Sequence, residues 1–229
     1  MSNTMDSGNT RVAAIGLVLG PLLMSVGDLI HPQESMDPGV QAAIIFEHAS
    51  HASRWYVAHL LLFFGILVVI PGVLAISGLT AERTPRAGYA SRILSLIGVA
   101  SFAAIFVGEM LIGRYISDGA DAAAATELLE TFQSGPILGA VMVGGMAFFL
   151  GVGAMAVPLI LAGGRLRWPA LAFVVGALLI GGEIITARVL LSQIGNLAFL
   201  GGGILFAWQI VQRREELRPS AESPQRRAR

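Results

Sequence analysis

The chain contains no cysteine, and reading it through shows no lysine, so all 15 of its basic residues are arginine. Without thiols it has no disulfides, no thiolate metal site and no thiol nucleophile. Charge of either sign is scarce. Asp, Glu, Lys and Arg make up 13% of the 229 residues, against about 25% in a soluble domain. The formal net charge is +0, so no overall field draws in nucleic acid, and no nucleic-acid partner is expected. There is no GxSxG and no Walker sequence, and the GGR at 163–165 has the length of a turn rather than a phosphate loop.

What is abundant is apolar. Hydrophobic residues reach 55% and the mean hydropathy is +0.72. A hydrocarbon core about 30 Å thick takes about 20 apolar residues in a helix. The runs 12–30, 57–79, 93–112, 136–162, 169–187 and 190–211 meet that length. The reading is therefore an all-α polytopic bundle of six transmembrane helices, with the lipid bilayer as its main partner. As one helix, 168–211 would extend roughly 66 Å, so it must fold back, with Arg188 marking the turn. Residues 1–11 and 212–229 read as disordered tails, the second basic and proline-broken.

Arginine placement gives direction. Twelve arginines fall in the tails and in the loops near 80–92 and 163–167, while Arg54, Arg114 and Arg188 fall on the other side. By the positive-inside rule both termini lie in the cytoplasm of a bacterial-type plasma (inner) membrane. The first run lacks a small-residue cleavage site, so no cleaved signal peptide is expected. Two outer loops are long enough for surface helices. One begins at Asp37-Pro38 and one is capped by Asp121. Trp55, Trp168 and Trp208 stand at span ends, where they read as interface anchors.

Three outward-running spans end alike, in GDLIHP (27–32), GEMLIGR (108–114) and GEIITAR (182–188). With a partial likeness between 63–79 and 148–164, this predicts three helical hairpins in series. Each motif places an acid in the last turns of a helix, where the dipole's negative end and the low dielectric both disfavour a carboxylate. Each acid calls for a cation: an arginine, a proton or a metal ion. Within one motif the Glu and Arg are five residues apart and point in different directions.

The candidate ligand-binding residues at the outer end are Asp28, His59, Glu109, Arg114, Glu183, Arg188 and Asn196. Three readings of them stand side by side. In the first they line a polar cavity for a small solute, ion or lipid headgroup. In the second, drawing on His59, His51, His31 and Glu109, they bind zinc or a similar divalent metal and make the chain a membrane hydrolase. All four histidines fall within 31–59, although their spacing does not match HExxH. In the third the charges pair internally in a structural or accessory subunit. No cofactor is predicted outright. Haem fits poorly, because His31 precedes a proline and the inner side has no histidine. A homo-oligomer is compatible with the sequence.

His31-Pro32, then Trp55-Tyr56-Val57-Ala58-His59-Leu60, then an aliphatic run to Pro71-Gly72, resembles uncharacterised bacterial six-helix integral membrane proteins of the domain-of-unknown-function type. The resemblance covers mainly residues 24–79. It implies the architecture and carries no mechanism.

Overall fold

The computed structural model of the protein describes residues 7–32, 40, 43–47, 53–134, 136–186 and 189–217. Among these residues it is all helix, with no strand. Eight helices follow in order: α1 Ser7–Ile30, α2 Ser53–Val68, α3 Ile70–Ala81, α4 Pro85–Ser117, α5 Ala122–Ser134, α6 Pro136–Leu161, α7 Arg167–Thr186 and α8 Val189–Leu217. A short helical stretch at 43–47 precedes α2. Five helical stretches are long and apolar enough to cross a membrane, and 167–182 is a shorter apolar helix. α1 begins at Ser7 and α8 runs on to Leu217. Both helices therefore pass the boundaries, 12 and 211, that hydropathy alone sets.

Side chains are distributed inside out. Leu161, Val143 and Leu178 are 81%, 73% and 69% exposed, and an apolar exterior of this extent needs lipid rather than water around it. This is the surface of a multi-pass membrane protein.

α2 and α3 form one apolar rod interrupted at Val69, whose backbone stays in the right-handed helical region (φ −70°, ψ −19°). Pro71 lies in the first turn of α3, where its missing N–H costs least. Pro21 and Pro158 lie inside α1 and α6. Gly163 and Gly164, at φ 70° and 73°, make the tight reversal between α6 and α7 that a side chain would strain.

The helices close a ring. α1 packs on α2, α3 and α8; α4 packs on α2, α3 and α6; α7 packs on α6 and α8. α7 and α8 lie along each other, so the long run 168–211 does fold back, with 187–188 outside the described residues. The ring is filled rather than hollow. Leu17, Ile66, Ile76, Val152, Met155, Phe173 and Phe206 are fully buried. A ladder of rings crosses the interior, Phe102–Phe148 at 5.6 Å, Phe148–Phe199 at 6.1 Å, Phe199–Phe173 at 4.8 Å and Phe173–Phe206 at 5.3 Å between centroids. The void left among Pro21, Met24, Ile66, Phe148 and their neighbours measures about 10 Å³, about one water at most.

Two helix pairs cross on glycines facing each other. A Cβ on Gly20 would stand 2.9 Å from the Gly65 carbonyl oxygen, and one on Gly65 would stand 2.9 Å from that of Gly20. Gly176 and Gly195 repeat the arrangement between α7 and α8, at 2.8 and 2.9 Å. At the 80–92 end, Thr80 Oγ1 donates to the Met155 carbonyl at 2.7 Å and Ser91 Oγ donates to Ser77 Oγ at 3.0 Å. These short polar ties join α3 to α6 and to α4.

Candidate metal centre

At the opposite end of the bundle, α1 finishes, α2 begins and α4 enters its last two turns. Arg54 Nε donates to the Ile30 carbonyl at 2.7 Å. It occupies one of the unpaired carbonyls of the α1 terminus and joins it to the start of α2. His31 follows directly.

His31, His59 and Glu109 meet here, each offering one ligand atom, all within 4.8 Å of one another. His31 Nε2 lies 3.2 Å from His59 Nε2, and His59 Nε2 lies 2.9 Å from Glu109 Oε2. The His59 side chain is 0% exposed and that of Glu109 19% exposed. The other ring nitrogens decide what these contacts mean. His31 Nδ1 faces the Pro32 carbonyl and His59 Nδ1 faces the Trp55 carbonyl, both at 2.8 Å. A carbonyl only accepts, so each Nδ1 carries the hydrogen. In the neutral rings both Nε2 atoms are then bare lone pairs. Burial first, and then the neighbouring His59, push the His31 imidazole down to about 4, which leaves it neutral at pH 7.

Two imidazole Nε2 atoms and a carboxylate oxygen thus point at one small volume. One proton on His59 Nε2 would satisfy one neighbour well and leave the other facing it. A cation placed among them satisfies all three. At metal–ligand distances of about 2.0–2.1 Å, tetrahedral ligands stand about 3.3 Å apart, and the two His59 separations, 3.2 and 2.9 Å, fall just short of that value.

Trp55 frames the site. Its ring lies 4.2 Å from that of His59 and 5.5 Å from that of His31, and its indole N–H donates to the Glu109 carbonyl at 3.2 Å. Trp55 is fully buried, so it is no interface anchor. Four residues before His59, it shares that histidine's helix face and is drawn inward with it. Trp168 and Trp208 are exposed, as anchors would be. Gly113 makes room for the indole: a Cβ there would stand 2.8 Å from Trp55 Nε1. Beneath Trp55 lies a small second core of Ile45, Ile112, Ile116, Ala125 and Leu129. It brings together the 43–47 stretch, α4 and α5. Asp121 Oδ1 accepts from the Ala124 N–H at 2.7 Å, capping α5 at its start. A shallow apolar groove of about 470 Å³ lies alongside, lined by Gly108, Leu111, Ile112, Tyr115 and Leu128.

The remaining candidate residues go elsewhere. Asp28 and Asn196 meet on the α1–α8 side, where Ser192 Oγ contacts both Asp28 carboxylate oxygens. Arg114 pairs with Asp118, the residue just past the end of its helix, Nη2 to Oδ1 at 2.8 Å, with side chains 68% and 57% exposed. Such an exposed pair contributes little. Among the described residues, neither Asp28 nor Glu109 is answered by an arginine. The side chain of Glu183, and all of Arg188 and His51, lie outside the described residues. Sequence reasoning missed Trp55 and Gly113. The WxxxH spacing was the signal for the first, and nothing in the sequence marks the second.

No protein-family model, curated protein or solved structure matches the chain.

Proposed function

We propose that the protein is a six-span membrane bundle, both termini cytoplasmic, that holds a divalent metal ion in His31, His59 and Glu109 at its outer end. The sixth span is the α7 stretch, and arginine asymmetry gives the direction. The facing glycines of α1/α2 and α7/α8 support a repeated hairpin plan, with α4/α6 as the middle member.

The observation that carries the metal reading is the pair of Nδ1–H···O=C bonds. They fix both imidazoles with their Nε2 lone pairs inward, the arrangement by which outer-shell carbonyls orient metal-ligating histidines. Imidazole and carboxylate suit zinc or a similar ion. Two histidines and one glutamate are the number and type of protein ligands that catalytic zinc centres use, with a further position left for solvent or substrate. The ion would supply Lewis-acid chemistry. Hydrolysis at the outer face is therefore the reaction class this reading favours, and the apolar groove beside Glu109 suits an amphipathic substrate.

The test is elemental analysis of protein purified in detergent without added chelator. About one zinc-class ion per chain is expected, falling below a tenth in His59→Ala and Glu109→Gln. A metal-free wild-type protein that also fails to take up zinc in a titration sinks the reading. The hydrolase step is tested separately, with ester and amide probes in lipid nanodiscs. Turnover should vanish on chelation and return with zinc. Bound metal without turnover would make the ion a structural brace.

A further inference from the structure

Asp28 stands in the last turn of α1, a helix long and apolar enough to cross a membrane. A carboxylate there needs a counter-charge or a dense set of donors. Among the described residues its side-chain partners are neutral: Ser192 and Asn196, both on α8 and 5% and 4% exposed.

The geometry is poor as hydrogen bonding and good as coordination. Ser192 Oγ lies 3.1 Å from one Asp28 oxygen and 3.2 Å from the other. It has one hydrogen, which can point well at only one of them. The Asn196 amide also reaches the carboxylate, yet its Oδ1 is buried with no hydrogen-bond partner. A buried amide oxygen without a donor is a costly arrangement. The oxygens offered here are the Asp28 carboxylate, Ser192 Oγ and Asn196 Oδ1, and the nitrogen present, the Asn196 amide, is a donor rather than a ligand.

We infer that Asp28, Ser192 and Asn196 form a second cation site, oxygen-only and separate from the histidine centre, that takes a small alkali ion, sodium. Oxygen ligands select hard cations. A single carboxylate charge is balanced by a single positive charge, which separates this site from the divalent centre. An oxygen–oxygen edge of 3.1–3.2 Å at octahedral angles corresponds to an ion–oxygen distance of about 2.2 Å, in the range of small hard ions rather than large ones. The ion would satisfy Asn196 Oδ1 and neutralise Asp28 together. It would also tie the end of α1 to α8, the seam where the first and last helices close the ring.

The experiment uses the full chain in detergent, exchanged into choline chloride. Sodium, potassium or further choline chloride is then titrated in at constant ionic strength while the thermal unfolding midpoint is followed. Sodium is expected to raise the midpoint saturably, by on the order of 3 °C, with potassium at least tenfold weaker. Asp28→Asn should remove the response, and since it deletes an unbalanced charge it should fold. Asn196→Ala, which keeps the carboxylate, should need at least tenfold more sodium for the same rise. His59→Ala should keep the sodium response intact, which separates this site's failure from that of the metal centre. Equal effects of sodium, potassium and choline on the wild type overturn the inference, as does a sodium response that survives in Asp28→Asn.

Discussion

His59 holds its site through two nitrogens with opposite duties. Nδ1 donates its hydrogen to the Trp55 carbonyl one turn back, which turns Nε2 toward His31 and Glu109. The helix itself sets the tautomer. Trp55 then sets the position of the ring, and Gly113 sets the position of Trp55. Gly113→Ala would put a methyl group into the indole edge. We expect zinc affinity to fall about 10-fold, in line with loss of an outer-shell contact, together with roughly 1–3 kcal/mol of overpacking. Competition against a zinc dye and thermal unfolding would check the two effects. A variant that binds zinc as tightly as wild type would show that the indole does not position the ligands. Trp55→Phe keeps an aromatic face but removes the N–H to the Glu109 carbonyl and leaves a cavity where the larger indole stood, so it should weaken zinc binding together with a loss of packing stability.

At the scale of the helix, glycine decides how close two rods come. Gly20 with Gly65, and Gly176 with Gly195, let backbones approach until one glycine's missing Cβ would meet the other's carbonyl. Such approach is a main source of helix association in lipid. Gly20→Leu and Gly176→Leu should each destabilise the bundle, by about 3 kcal/mol or more, measured by unfolding in mixed micelles. Gly201, around which a Cβ meets nothing within 4 Å, is the control, and Gly201→Leu should change stability little. Thr80→Val removes the hydroxyl that reaches the Met155 carbonyl on α6, at a cost of about 1 kcal/mol. Apolar helices of this kind were plain in the sequence, because a run of 20 uncharged residues has few other uses. Their ends were less plain. α4 runs from Pro85 to Ser117, well past the apolar run 93–112, because helix continues into polar sequence that hydropathy does not register. The break at Val69 was not legible either. It falls two residues before Pro71, where the proline's missing N–H and ring disturb the preceding turn.

For the whole molecule, the ring explains what the sequence showed of the site and what it hid. The three GDLIHP-like motifs could be seen, and so could an acid in need of a cation at each. Which cation could not be seen, because partners come from ring neighbours far apart in the chain. Glu109 finds His59 50 residues away, and Asp28 finds Ser192 164 residues away. Five residues of GEMLIGR invite a pairing of Glu109 with Arg114. Helix geometry sends them to different faces, and Arg114 turns to Asp118 instead. The proposed topology has a direct check in the missing cysteine. A single cysteine introduced at residue 3, 83 or 120 would be the only thiol in the chain. Labelling of intact cells with an impermeant maleimide should mark 120 and spare the other two. Labelling of 83 would reverse the orientation.

The phenylalanine ladder has a consequence for access. Among the described residues the axis of the bundle is plugged with rings, and the void among them, about 10 Å³, is too small to pass a hydrated ion. On the proposed orientation, loading and stripping of the proposed His31–His59–Glu109 centre would then be sided. An impermeant chelator such as EDTA should empty it in right-side-out vesicles and leave it loaded in inverted ones. The metal content of the centre would follow the composition of the medium outside the cell and be blind to the cytoplasm's own zinc supply.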